Sequence, residues 1–301
     1  MLFCADPLNP GHLDPAYDAE MLAAQQAGID CDLINFEALV DDGDAKRAVR
    51  RVTPTDDPVT GVYRGWMLRP ERYGALYAAL ADRGIRLLND PAAYAHCHHL
   101  PNWYPSLEQW TPRSVWLRTD GDVTSDQLAA ALRPFDGGRV IVKDFVKSQK
   151  HHWDEACFIP SSDDLANVEQ IVRRFIELQG PDLNEGLVLR KFEDFEPLAA
   201  HSRSGMPLTR EYRVFFLNGE PILSSEYWEE GAYDGPEPPL DDLCAVAARV
   251  ASRFFTMDVA QHIDGRWRIV ELGDGQVAGL PERADPLVFY RELARVFAPS
   301  D

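Results

Sequence analysis

Apolar and polar positions follow two different mixtures of period along the chain, and the change between them divides it. Residues 2–5 are a short apolar run. Asp14-Pro15 then starts a helix through Met21 and Leu22 that stops at Gly28. Strand patterns follow at 31–36, 61–67 and 85–88, with a helix over 71–83. Residues 41–60 are charged and proline-containing and read as loop. Strands alternating with helices predict a βαβ layer, placed at residues 1–110.

A Trp/Pro-rich connector over 101–116 precedes a different texture. A helix at 125–132 leads to strands at 139–146 and 156–160. Residues 163–178 carry apolar side chains at 165, 168, 171, 172, 175 and 178, a helical face ending before Gly180. A strand at 186–192, a hairpin over 210–228, a helix at 241–255, a second hairpin and a helix opened by Asp285-Pro286 complete the pattern. Hairpins mixed with helices predict an α+β region over 111–301, with a small lobe at about 120–185 and a large lobe at about 186–301.

Composition narrows the class. The 301 residues carry a net charge of −19, with no basic stripe, which argues against nucleic acid as a partner. No apolar run reaches membrane-spanning length, and the start MLFCADPLNP has no signal-peptide regions. Five scattered cysteines without a C-x-x-C pair read as reduced thiols. A cytoplasmic protein without a membrane partner is the expectation.

The two hairpins carry the candidate chemistry. Asp264-Gly265 reads as a two-residue type I′ turn, which places Asp258 opposite Glu271, with Ala260/Ile269 and His262/Trp267 on the same face. Facing carboxylates repel. Either one is solvated or paired with an arginine, or a divalent cation with phosphate ligands lies between them. Asp274 offers a third oxygen donor. The other hairpin turns at Asn218-Gly219, setting Arg213 opposite Ser224 and Glu211 opposite Glu226. Lys143, in an apolar strand beside Ile141, and Arg190, beside Val188, are cations whose burial needs an anion. Polyphosphate is one such anion; edge protection is the ordinary alternative for Lys143. The loop after Lys143 carries Lys147 and Lys150 and reads as either a solvated loop or a lid over phosphates. His96-Cys97-His98-His99 is not a metal set, because adjacent helical positions diverge. Arg64, among aromatics, reads as a stacked structural arginine or as a reach toward a substrate carboxylate.

A lysine strand, a basic loop, Leu-Val-Leu-Arg-Lys at 187–191, Glu-Tyr-Arg-Val-Phe at 211–215 and an acidic hairpin ending Glu-Leu-Gly-Asp-Gly at 271–275 stand in this order. The order resembles the ATP-grasp superfamily, in particular its divergent clade of two arginines and one lysine. That clade includes the eukaryotic cell-division-cycle protein that helps assemble translation initiation factor two, and bacterial and phage predicted peptide ligases. The resemblance covers about 120–295. It implies a pre-grasp α/β domain followed by two α+β lobes with ATP in the cleft between them. It implies ATP and Mg2+ as cofactors. Lys143, with Lys147 and Lys150, would meet the phosphates, Arg190 and Arg213 would stabilise developing charge, and the backbone of Lys191, Phe192 and Glu193 would meet adenine. Asp258 and Glu271 would hold the metal; Gly273 replaces the usual asparagine, with Asp274 as substitute. The activity implied is acyl-phosphate formation on a small-molecule or peptide carboxylate, followed by attack of an amine. The eukaryotic relative implies the alternative of an ATP-binding assembly factor with a protein partner.

Overall fold

The computed structural model describes residues 1–201 and 205–297. The N-terminal layer is a parallel sheet. Leu2–Cys4 pairs with Asp32–Ile34 on one side and Tyr63–Arg64 on the other, and Val59–Gly61 pairs with Ile85–Leu87. Leu2 N–H donates to the Val62 carbonyl, so the run 59–64 bridges both pairs. The helices Asp18–Gln26 and Pro70–Ala81 lie where the 3.6-residue period places them. Three details differ from the sequence pattern. The second strand ends at Ile34 because Asn35 caps the helix Phe36–Val40. The expected loop over 41–60 holds the short helix Ala45–Ala48, capped by Asp44, and the strand Val59–Gly61. The connector after residue 100 is a helix, Leu100–Leu107. Its Pro101 sits in the first turn, where no N–H is needed, and Leu100, Trp103, Tyr104 and Leu107 form one buried face.

The small lobe is an antiparallel sheet in the order Ser114–Arg118, Gly186–Lys191, Val140–Asp144, Phe158–Ile159. Leu187, Leu189, Val140 and Val142 point to the helices Ser125–Leu132 and Leu165–Gln179, forming a separate core. The strand Gly186–Lys191, expected to open the large lobe, is thus central to the small one, and Ser114–Arg118 joins it from before residue 120. Chain order alone could not show this, because antiparallel strands distant in sequence pair freely.

The large lobe is an antiparallel sheet in the order Glu220–Glu226, Glu211–Leu217, Phe254–Gln261, Trp267–Asp274. Tyr212, Val214, Phe216, Phe255, Met257 and Val259 face the helices Leu100–Leu107 and Leu240–Ala247. The latter helix stops at Ala247, well short of 255, and Phe254 and Phe255 open a strand instead. On the opposite face, Phe215, Leu217 and Phe254 pack into the N-terminal domain's core, together with Phe289, Tyr290 and Leu293 of the closing helix Pro286–Leu293. The same face is polar further along each strand. The cleft opens there. No described helix is long and apolar enough to cross a membrane.

Candidate active site

Two β-bulges decide the register around the cleft. In the first hairpin Asn218 and Gly219 adopt positive φ, as a type I′ turn requires, but Phe215 pairs with Leu223 and Phe216 with Pro221. Ile222 is the extra residue beside a proline that has no N–H for the ladder. Arg213 therefore lies opposite Ser225 and Tyr212 opposite Glu226, one residue away from the spacing expected from the turn. In the second hairpin only Gly265 has positive φ, at 89°, so the turn is not type I′. The Gly265 N–H bonds the His262 carbonyl, and Gln261 pairs with Trp267 and Ala260 with Arg268. The turn is longer by one residue than expected. A bulge at Val270 then restores the register, and Asp258 does face Glu271.

That bulge shapes the site. Alternation normally sends consecutive residues to opposite faces; at a bulge both can turn to one side. Val270 and Glu271 both border the cleft, the first on an apolar cavity and the second on a polar one. Arg213 pairs with Asp258 on the neighbouring strand, so Arg213, Asp258 and Glu271 form a row across three strands. The guanidinium grips Asp258 in bidentate fashion at 2.8 and 2.7 Å, donates to the Gly279 carbonyl at 3.0 Å and stacks on Tyr227.

The small lobe supplies the opposing cations. Ile141 and Lys143 alternate onto the cleft face of their strand, with Arg190 directly across from Ile141. Lys143 Nζ meets Glu271 Oε1 at 2.5 Å and closes the cleft with an ion pair. Arg190 is buried and donates to Thr111 Oγ1 at 2.6 Å and the Ile269 carbonyl at 3.2 Å. Burial pulls its guanidinium down to about 10 even with Glu271 and Glu193 nearby. The Glu271 carboxyl would be pushed up by burial, but Lys143, Arg190 and Arg213 together hold it below its ordinary value. Each carboxylate thus has a cation in place of the repulsion expected from the sequence.

Two cavities, lined by the consecutive residues Val270 and Glu271 respectively, match the two halves of a nucleotide. One, of about 510 Å3, is walled mainly by Ile141, Trp153, Phe192, Phe195, Leu208 and Val270 and suits a base. The other, of about 330 Å3, carries Lys143, Lys147, Lys150, Arg213, Asp258 and Glu271 and suits phosphates with a metal. The buried Lys143 and Asp258 pair with the partly exposed Glu271 and Arg213, a neutral donor set whose chemistry suits phosphate and Mg2+.

Other predicted residues divide. Lys147 lines the polar cavity from a turn held by Asp144, whose Oδ1 accepts the Val146 N–H at 2.6 Å. Lys150 borders the same cavity but holds its ammonium 4.9 Å from the Trp228 ring. Lys191, Phe192 and Glu193 line the apolar cavity. The N–H groups of Lys191 and Phe192 are already bonded to the Arg113 and Arg139 carbonyls, and the Glu193 carboxylate is bound by Arg268. Asp274 lines the same polar cavity as Asp258 and Glu271, but its carboxylate is taken up by other partners. Three residues along a strand reverses the face, and Asp274 is fully buried against Asn89 and Gln276, with its carboxyl pushed up to about 6 by burial. Among the described residues no group of three or more His, Cys, Asp and Glu is arranged to hold a metal. At Gly273, a Cβ would come within 2.7 Å of Thr256 Oγ1, which disfavours the asparagine usual there. Arg64 is buried beneath the site, bonded to Glu20 and to the Gly275 and Ala278 carbonyls. Cys97 lies in a hydrophobic core and His98 stacks on Tyr94 at 5.0 Å.

Sequence reasoning missed Tyr227 and Val270 as parts of the cleft and Thr111 as the partner of Arg190. None has a signal of its own: each is placed by a bulge or a long-range contact.

Glu211, beside this row, is buried, and burial with the Asp258 charge raises its carboxyl to about 8. Raised in the fold above its unfolded value of about 4.3, it binds a proton there that the unfolded chain has lost. Its contribution to stability therefore falls as pH rises from about 4.3 to 8 and levels off above. Glu211→Gln should flatten that part of the curve of melting temperature against pH. An unchanged slope in the variant would show Glu211 to be ionised throughout.

A family model for an ATP-grasp domain, the third family of the clade of two arginines and one lysine, matches residues 134–293, more than half of the chain. The chain belongs to this ATP-grasp family. Among solved structures, the D-cycloserine synthetase DcsG superposes at a TM-score of 0.60 and 14% identity, over 99% of each chain. The ATP-grasp ligase PsnB, complexed with a phosphomimetic variant of its minimal precursor, Mg and ADP, gives 0.57 at 14% identity over 98% of this chain and 97% of that one. The D-alanyl-alanine synthetase A of Vibrio cholerae gives 0.55 at 15% identity over 98% and 92%. At such identities the likeness shows the fold, and it extends through the N-terminal layer. No curated protein matches the sequence.

Proposed function

We propose that this ATP-grasp protein is an ATP- and Mg2+-dependent ligase that joins a carboxylate to an amine. The observation that carries the reading is the double ion pair, Lys143–Glu271 and Arg213–Asp258, lining a polar cavity, with Val270, next in sequence to Glu271, lining an apolar one. The base would lie between Ile141 and Val270. Lys143, Lys147 and Lys150 would bind the phosphates, and Asp258 and Glu271 would hold the metal, which neutralises phosphate charge when bound.

The chemistry is phosphorylation of a carboxylate at the expense of ATP, followed by attack of the amine nitrogen on the acyl carbon and departure of phosphate. The chain needs no nucleophile of its own. Its part is to position the reactants and to offset the negative charge that grows during transfer, with Arg190 and Arg213 as fixed donors. In the domain division that goes with this reading, residues 1–110 precede the grasp region 111–301. The carboxylate sits on a small molecule or a peptide, in keeping with the precursor bound to PsnB. The five free cysteines accord with a cytoplasmic site of action.

The test is calorimetric titration of a non-hydrolysable ATP analogue with and without Mg2+, followed by an assay of ADP release across carboxylates and amines. We expect metal-dependent binding, and ADP release only when a suitable carboxylate is present. A folded protein that binds no nucleotide would overturn the reading. Binding without carboxylate-stimulated release would favour the assembly-factor alternative.

A further inference from the structure

Resting on the ligase reading, we infer that a third cavity, between the N-terminal layer and the turn after Lys143, seats the carboxylate substrate and selects an acid that bears a second negative charge at its far end. This cavity, of about 430 Å3, shares Met67, His98, Val146 and Lys147 with the polar cavity and so continues from the phosphate site. Arg69 and Arg72 line this cavity but not the polar one, and Phe36, Val40 and Leu68 add apolar surface between the charges.

The cations here lack the partners that the chain could readily give them. At a net charge of −19 carboxylates are plentiful, yet the side chains of Arg72 and Lys147 have neither an ion pair nor a hydrogen bond among the described residues. Arg69 gives one nitrogen to the Pro181 carbonyl at 2.6 Å and has no carboxylate partner. Asp182, the acidic residue of the lining, is exposed and pairs with none of the three. Arg72 is half-buried and Gly43 makes room for it, since a Cβ there would come within 2.6 Å of Nη1. Like charges gathered at one cavity repel, and an anion among them removes that cost.

An independent sign of the ligand comes from His98. It is 8% exposed, its ring packs on Tyr94 and His99, and neither ring nitrogen has a hydrogen-bond partner among the described residues. A buried polar group left without a partner is costly. Burial, with the charges of His99, Lys147 and Lys143, lowers its pKa to about 3, so the imidazole is neutral and carries one N–H. His98 lines both cavities, and a carboxylate at their shared wall would accept that hydrogen bond.

The two ends of the substrate therefore meet different groups. Lys147 and His98, at the shared wall, hold the carboxylate that reacts. Arg72 and Arg69 hold the second anion, and the apolar side chains cover the spacer. A small dicarboxylic acid has this form. One oxygen of the inner carboxylate forms the bond to the terminal phosphorus of ATP, and the bond from that phosphorus to the bridging oxygen breaks with its electrons leaving on ADP. No proton moves in this step, and the outer carboxylate keeps its charge.

The test is calorimetric titration of glutarate into the nucleotide-free full chain, with pentanoate and 1,5-diaminopentane as singly charged and oppositely charged comparators. We expect glutarate to bind at least tenfold more tightly than pentanoate, and the diamine not to bind. Arg72→Gln should erase that preference, weakening glutarate at least tenfold with little effect on pentanoate, and His98→Leu should weaken both. Arg69→Gln should act in the same direction as Arg72→Gln and carries the test if the latter does not fold. Arg86→Gln removes an exposed cation of the same layer that does not line the cavity, and should change neither ligand. Folded protein that binds no glutarate, or binds pentanoate equally well, would overturn the inference. So would equal weakening by Arg72→Gln and Arg86→Gln, or unchanged binding by folded His98→Leu. A parallel titration with the ATP analogue and Mg2+ separates the two readings. Nucleotide binding without preference for glutarate removes only the substrate seat, whereas glutarate binding by a chain that binds no nucleotide leaves an anion site and removes its role in ligation.

Discussion

Arg213→Ala is expected to lower turnover by about 10²–10³-fold, the usual effect of removing one pre-positioned donor from developing negative charge. Arg213 is the donor held most firmly. Asp258 grips it through two hydrogen bonds, Gly279 takes a third and Tyr227 stacks on its face. Binding of the nucleotide in the ground state should change far less, because Lys143, Lys147 and Lys150 remain. Arg213→Lys should recover little, since an ammonium cannot reproduce the bidentate fork. Removing Arg213 also leaves Asp258, only 2% exposed, without its partner. Asp258 would then take up a proton or destabilise the lobe. Thermal unfolding of each variant must therefore accompany the kinetics. A folded Arg213→Ala protein with near-normal turnover would show that this row of charges is structural.

Arg64→Met should reduce stability by about 3–5 kcal/mol, the typical cost of breaking a buried ion pair from one side. Arg64 is 1% exposed and its guanidinium is fully used. Glu20 accepts from Nε and Nη2, and the carbonyls of Gly275 and Ala278 accept from Nη1 at 2.7 and 2.8 Å. Tyr290 of the closing helix donates to the same Glu20 oxygen at 2.6 Å. One side chain thus joins the N-terminal layer, the last helix and the loop after Glu271. A loss of this size should lower the melting temperature by on the order of 10 °C. Turnover should fall as well, because the released loop carries the Gly279 carbonyl that orients Arg213. A shift of less than about 1 kcal/mol would mean that water or a neighbouring donor replaces the guanidinium.

Most helices and strands could be read from the sequence because their signals are local. Asp14-Pro15 and Asp285-Pro286 begin helical segments where they stand, and the apolar face from Leu165 onward faces the small-lobe core. The errors fell where long-range packing overrode local pattern. Leu100–Leu107 is helical despite two prolines because its apolar face is buried beneath the large-lobe sheet. Gly186–Lys191 belongs to the small lobe because its partners are Ser114–Arg118 and Val140–Asp144.

The candidate site shows the same boundary. Sequence alone determined which residue types share a strand face: Lys143 with Ile141, Arg213 with Glu211, and Asp258 opposite Glu271. A period of two fixes the faces, and the turn residues fix roughly where strands reverse. The Asp258–Glu271 pairing held only because an unforeseen longer turn and an unforeseen bulge at Val270 cancel. Tertiary structure alone decided that Lys143 closes on Glu271, that Arg213 grips Asp258, and that Asp274 turns to Asn89. It also assigned Arg64 to the support of the site. Those outcomes depend on which lobes face each other across the cleft, and no local propensity encodes the meeting of residues 128 positions apart, as Lys143 and Glu271 are.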